Sequence, residues 1–354
     1  MSLLIGSLIF IINLNFAHAD QIKDQLWQSK SIPKAIISAQ YGDANNDQNP
    51  DVVYISTNEL VAETFLSDGK LTLLARLKAG AKTSFYRVYL VDMNQDGMKE
   101  VLVLGKFRER YFSRLYAIRG KKFVLKQDYL DLVVPKNNSG KFYVQSAHNM
   151  WSCAQKIHEA ELQGIHLVLG KEMVVNQGLG LKSPCLFQMS LLDKGFISNS
   201  NPKHLFLFDD AGKLIWRSNI GLGHSANFLE ITQKDPMAIS TKRQIEIPSR
   251  MAYYNKGQEF VAIRTDTYLK GAVGTKPVIK QSQLVRFKVN EQEIKEVKSS
   301  AQHPLVMTDL QVLDYNGDGQ FEIFLSYIKQ GKGFLGGYGE QQSVLVMIPY
   351  GFSK

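Results

Sequence analysis

Cysteine is scarce in this chain: its 354 residues hold two, Cys153 and Cys185. That count excludes a cysteine-rich metal module and a dense disulfide framework. It leaves one bridge between the two as the expectation for an exported chain, with two buried thiols as the alternative. Long apolar runs are equally scarce. After Leu3 to Ile12 nothing approaches the roughly 20 apolar residues that a membrane span needs, so stable membrane insertion is not expected. Charged side chains are missing altogether from Met1 to Ala19, a stretch that ends in Ala17-His18-Ala19. It reads as a secretory signal peptide (residues 1–19) cleaved before Asp20, although the usual Lys or Arg after Met1 is wanting. The expected location is therefore periplasmic or extracellular.

Catalytic constellations are also lacking. Gly331, Gly333 and Gly336 have the spacing of a dinucleotide fingerprint, but a strand follows where a helix N-terminus would have to hold pyrophosphate. Gly221-Leu222-Gly223-His224-Ser225-Ala226-Asn227 approaches a nucleophile elbow, yet Asn227 occupies the place of its second glycine. His158-Glu159 opens like a zinc-protease helix, but Leu162 stands where the second His belongs. No nucleic-acid module is recognisable despite the net charge of +9. The basic clusters, such as Lys106, Arg108 and Arg110, are short and read as solvated strand exteriors.

What the chain does have is oxygen side chains at alternate positions. In Asp92-Met93-Asn94-Gln95-Asp96-Gly97-Met98-Lys99-Glu100 the side chains of Asp92, Asn94 and Asp96 offer three ligands to one hard cation. Gly97 permits a sharp turn, Met98 can present its carbonyl, and Glu100 closes the set, which suits the six to eight oxygens of calcium. The grammar returns at Asp314, Asn316, Asp318, Gly319 and Glu322, with Gln320 in the place of Met98. A looser copy runs through Asp43, Asn45, Asp47 and Asp51, where Gln48 replaces the glycine and Pro50 precedes the last carboxylate.

An EF-hand begins alike but needs a bidentate Glu at position twelve and a helix on each side. The twelfth residues here are Tyr54, Val103 and Leu325. Each loop runs instead into a short β-branched and aromatic stretch, Val52 to Ile55, Val101 to Leu104 and Ile323 to Tyr327, the mark of a buried strand. The pattern Asp-x-Asn-x-Asp-Gly-x-x-Glu followed at once by a strand resembles the calcium loop of FG-GAP or VCBS-type repeats. That resemblance implies an all-β fold, a β-propeller of four-stranded antiparallel blades with each loop between the first two strands of its blade.

Asp43 and Asp92 lie 49 residues apart, one blade's length. At that pitch residues 20–354 form one propeller of six or seven blades. Glu63 to Leu66 and Lys70 to Leu74 flank the turn Ser67-Asp68-Gly69, and Leu205 to Phe208 and Leu214 to Arg217 flank Asp209 to Lys213; both read as outer-strand hairpins. The stretch 146–203 reads as an irregular insertion. Within it Ser146 to Glu161 loses the period-two pattern, as a short helix or insertion would, and Gly178 to Pro184 and Lys194 to Lys203 read as loops. The apolar run Ser343 to Pro349 is placed to pair with the segment near Gln25 to Ile32 and close the ring. Calcium is expected as a structural cofactor. The expected function is that of a monomeric interaction module for a protein or glycan ligand. The alternative is a carbohydrate-active enzyme, a polysaccharide lyase or hydrolase, using the propeller cleft.

Overall fold

The computed structural model describes residues 22, 25–108, 110–136, 141–146, 156–163, 166–175, 185–192, 195–201, 203–234, 240–254, 258–267, 278–290, 293–329 and 341–351. They fold as 26 strands and one 3-10 turn, Leu186–Gln188. Strand β1 (Trp27–Gln28) belongs to the last sheet. Blade 1 comprises β2 (Ser38–Gly42), β3 (Asp51–Ser56), β4 (Glu59–Phe65) and β5 (Leu71–Lys78). Blade 2 comprises β6 (Thr83–Val91), β7 (Glu100–Phe107), β8 (Arg110–Arg119) and β9 (Lys122–Tyr129). Blade 3 follows with β10 (Leu132–Lys136), β11 (Lys141–Gln145), β12 (Lys156–Gln163) and β13 (His166–Val174). Blade 4 is β14 (Met189–Leu191), β15 (Phe196–Asn201), β16 (His204–Phe208) and β17 (Leu214–Arg217).

A two-stranded sheet, β18 (Asn227–Lys234) with β19 (Ser240–Ile247), comes next and among the described residues pairs with no other strand. Blade 5 is β20 (Ala252–Tyr254), β21 (Glu259–Thr267), β22 (Ile279–Val289) and β23 (Ile294–Ser299). Blade 6 takes β24 (Val306–Leu313), β25 (Glu322–Lys329) and β26 (Gln342–Pro349) from the end of the chain and β1 from its beginning. The blade number is thus six, with the β18–β19 ribbon as an added element.

Burial within a blade follows strand order, and this is what turns sequence into a propeller. Second strands are covered on both faces by neighbouring blades, so β3 and β25 are apolar almost throughout and buried along their length. Fourth strands form the rim: β9 and β23 are mostly exposed and rich in Lys, Glu and Gln. The apolar core is accordingly spread between blades. Ile37, Val53 and Ile55 of blade 1 meet Phe85, Val88, Val101 and Val103 of blade 2 in one cluster, and Ala39, Tyr41 and Val52 meet Phe324, Leu345 and Met347 of blade 6 in another.

The ring closes as the apolar run at its end requires. Trp27 pairs with Met347 and Gln28 with Val346, and an isolated bridge joins Ile32 to Ser343. Trp27 also donates its indole N–H to the Gly69 carbonyl at 2.7 Å and packs edge-on against Phe65, tying the closing strand to blade 1.

Two sequence readings are corrected. Lys194 to Lys203, loop-like in composition, contains β15, whose Phe196, Ile197 and Ser198 are fully buried. Ser146 to Glu161 holds neither a helix nor a continuous insertion among its described residues, because β12 begins at Lys156. A register shift between His158 and Ala160 breaks the alternation there and hides the strand from a period-two reading. Met1 to Ala19, Cys153, Gly178 to Pro184 and Gly331 to Gly339 lie outside the described residues.

Candidate functional site

The three oxygen-rich loops each connect the first strand of a blade to the second: residues 43–50 between β2 and β3, 92–99 between β6 and β7, and 314–321 between β24 and β25. Their hydrogen-bond networks share one pattern. The first Asp of each loop accepts the N–H of the sixth residue, from Gln48 to Asp43 at 2.8 Å, Gly97 to Asp92 at 2.8 Å and Gly319 to Asp314 at 2.9 Å. The Asn at position three accepts the N–H of position five and donates its amide to that same Asp: Asn45 with Asp47, Asn94 with Asp96, Asn316 with Asp318. Asp47, Asp96 and Asp318 then accept the N–H of Asn49, Met98 and Gln320. The closing carboxylate, Asp51, Glu100 or Glu322, accepts the N–H of position two.

These networks spend carboxylate oxygens on the loops' own backbone, and among the described residues no three His, Cys, Asp or Glu side chains converge as a metal site. The donor chemistry nevertheless fits a hard cation. Asp51 is fully buried and its Oδ1 has no hydrogen-bond partner, an uncompensated carboxylate oxygen of the sort a cation satisfies. Burial pushes the Asp51 carboxyl up, and the neighbouring charges of Asp47 and Asp43 push it further. Glu100 behaves alike: burial raises it, and Asp96 and Asp92 add to the rise. Asp47, out in solvent, is lowered instead, chiefly by the Asn49 N–H it accepts. The residues that would hold a hard cation such as calcium are Asp43, Asn45, Asp47 and Asp51, then Asp92, Asn94, Asp96 and Glu100, then Asp314, Asn316, Asp318 and Glu322, with Met98 and Gln320 at the carbonyl position. An ion bound there would neutralise like charges held close together and fix the turn between two strands.

The sixth position is left-handed in every copy. Gly97 has φ +86° and Gly319 φ +82°, and Gln48 adopts φ +68° in spite of its Cβ. In this conformation a non-glycine residue is strained by roughly 1 kcal/mol or more.

Closure of the ring sets the three loops side by side, on blades 6, 1 and 2. The Lys99 N–H of the second loop donates to Asn46 Oδ1 of the first at 2.9 Å. Tyr315 of the third packs edge-on against Tyr41 at the end of β2, with ring centroids 6.5 Å apart. Loops some 270 residues apart in sequence thus form one continuous arc. Beside its second member lies a groove of about 530 Å³, floored by β8 and β9.

A second polar centre went unread in the sequence. Asp309 of β24 is 2% exposed and its carboxylate accepts five hydrogen bonds: from Ser38 Oγ (2.6 Å), the Ala39 N–H (3.0 Å), the Leu310 N–H (3.0 Å), and Arg250 through Nε (3.2 Å) and Nη2 (3.1 Å). Arg250 Nη2 also donates to the Val88 carbonyl at 2.7 Å, and the guanidinium lies 4.6 Å from the Tyr89 ring centroid. Next to it the buried Arg87 donates to the Pro248 carbonyl at 2.5 Å, and burial pulls its pKa down. Asp309 and Arg87 each stand at a register shift in an innermost strand, between Met307 and Asp309 and between Phe85 and Arg87. Bulges of this sort re-aim side chains, and here they accompany polar groups joining blades 1, 2 and 6 to the segment before blade 5. The β18–β19 ribbon is tied to the same place, since Asn227 Nδ2 donates to the Tyr86 carbonyl at 3.0 Å. No spacing in the sequence announces these contacts.

Cys185 is half-buried, and its N–H donates to Gln188 Oε1 at 3.0 Å, opening the 3-10 turn. Its expected partner, Cys153, lies outside the described residues. Among the described residues no helix is long and apolar enough to cross a membrane.

Residues 43–103, which span the first two loops, match the FG-GAP-like repeat family. No curated protein matches the chain. Among solved structures, a humanized mutant of the Chaetomium thermophilum Polycomb Repressive Complex 2 bound to the inhibitor GSK126 is similar over 86% of this chain and 67% of that chain, at 8% identity and a TM-score of 0.48. Apo ctPRC2 in an autoinhibited state is similar over 83% and 67%, at 8% identity and a TM-score of 0.47. Likenesses at that level carry no argument here. The chain is a β-propeller of six four-stranded blades, of which residues 43–103 match the FG-GAP-like repeat family.

Proposed function

We propose that this propeller is an exported, calcium-braced interaction module that docks a protein or glycan ligand. The observation that supports the reading best is the arc of three like-built oxygen-rich loops on adjacent blades, each with the same network and the same left-handed sixth residue. Three cations along one rim stiffen a continuous surface without taking part in chemistry, because each would be held between strands of a scaffold. Such preorganisation lowers the ordering cost of binding. On this reading the module works as a monomer.

Binding to immobilised glycans and cell-envelope proteins, with calcium and with chelator, tests the reading. The expected result is calcium-enhanced retention of an unaltered ligand. Release of new reducing ends or unsaturated sugars from a polysaccharide overturns it in favour of an enzyme.

Export brings two further expectations, a mature N-terminus at Asp20 and a bridge from Cys153 to Cys185. N-terminal sequencing and a thiol count on protein from its native compartment check both. Retention of Leu3 to Ile12 defeats the first, and two free thiols defeat the second.

A further inference from the structure

We propose that the groove beside the second loop is a binding site for a carboxylate-bearing saccharide, which deepens the interaction reading above by naming a site and a ligand class. Its volume of about 530 Å³ lies within the range of roughly 300–1,000 Å³ typical of small-ligand sites, enough for a few sugar rings and too small for a protein surface. The walls come from three places in the chain: the loops 43–50 and 92–99, the strands β8 and β9, and Leu162 of β12.

Three cations line it, Lys99, Lys126 and Arg119. All three are exposed, and among the described residues none of them makes an ion pair with an acid. Lys126 is close enough for its charge to act on Glu100, and hydrogen bonds from such charged groups to an anion are about twice as strong as neutral ones. Asn46 and Gln127, neither of them a candidate calcium ligand, also line the groove; a side-chain amide offers donors and an acceptor together, which suits vicinal hydroxyls that both give and take.

Asp96 and Glu100 also line the groove; a cation bound in the second loop would neutralise them, leaving Lys99, Lys126 and Arg119 as the charges a ligand meets. Leu115 and Ala117 of β8 supply an apolar wall of the kind on which the C–H face of a ring can rest.

Calorimetric titration of the mature protein in calcium tests the assignment, with a glucuronate trisaccharide, the matching glucose trisaccharide and triglutamate as probes. The uronate is expected to bind, and both other probes to bind at least roughly tenfold more weakly, the difference of about one charge-assisted contact. The Lys99→Gln, Lys126→Gln double variant should lose roughly tenfold or more for the uronate, with its melting temperature unchanged because both side chains are exposed. Equal binding of the glucose trisaccharide or of triglutamate, or a double variant that binds like the parent, overturns the proposal. A folded protein that ignores the uronate while retaining a neutral glycan or a protein elsewhere ends this assignment and leaves the module reading standing.

Discussion

Asp309→Ala is expected to lower the stability of the ring by about 3–5 kcal/mol, the scale found when one partner of a buried ion pair is removed. The size follows from what the truncation strands. Five donors converge on the Asp309 carboxylate. Three of them, Ser38 Oγ, the Ala39 N–H and Arg250 Nη2, would lose an acceptor at one point inside the molecule. Arg250 would remain beside the buried Arg87 with no carboxylate between the two cations. Replacing both partners by apolar residues, as in Asp309→Leu with Arg250→Met, is expected to cost less than the single truncation, because it removes the Arg250 charge that the truncation strands. Chemical denaturation of the three proteins measures the difference. A single variant within about 1 kcal/mol of the parent, or a double variant much worse than the single, would show that the cluster is incidental to the fold.

The second large effect concerns calcium. Free ion at roughly 100 times its dissociation constant should stabilise the fold by about 2.7 kcal/mol for each filled site, because only the folded loops bind it. Melting should therefore rise with calcium and fall with chelator; coincident curves, with no metal in the purified protein, sink the idea. The three loops should not contribute equally. Glycine adopts the left-handed sixth position of the second and third loops without Cβ strain, whereas Gln48 is held there at φ +68°. Asp96→Ala and Asp318→Ala should each remove more of the calcium-dependent stability than Asp47→Ala. Gln48→Gly should strengthen the first loop by relieving strain of about 1 kcal/mol. Equal losses for the three alanine variants would show that backbone freedom does not rank the sites.

The propeller was legible in the sequence because its signals are local and recur. Asp92 to Glu100 and Asp314 to Glu322 spell the same turn, each turn is followed at once by a strand buried on both faces, and the apolar run at residues 343–349 needs a partner that Trp27 supplies. Where the reading failed, tertiary structure had overruled composition. Ser198 of β15 is fully buried although it sits in a stretch rich in Ser and Asn, and the shift at His158/Ala160 displaces the alternation of β12 by one residue. The hub was beyond reach for another reason. Arg250 and Asp309 are single charged residues, and their bonds run to Val88 and Ser38, 162 and 271 positions away. Contacts that remote leave no periodicity, so only the closed ring shows them. The groove at Lys99 and Lys126 is likewise a product of assembly, since its walls come from blades 1, 2 and 3.

Blade 6 also governs the order in which the molecule can be completed. Trp27 lies among the first strand-forming residues and Met347 among the last, yet the two are cross-strand neighbours. Chain synthesis from the N-terminus can finish blades 1 to 5 in turn, but it leaves β1 waiting and blade 1 with an open flank until residue 349 exists. Bringing the two ends together carries a loop-closure entropy that grows only slowly with the 320-residue separation. The delay is thus mainly one of timing. A nascent chain of this kind stays an open arc with one face of its core uncovered. The ring can close only once the last strand is available to pair with Trp27 and Gln28 in one sheet.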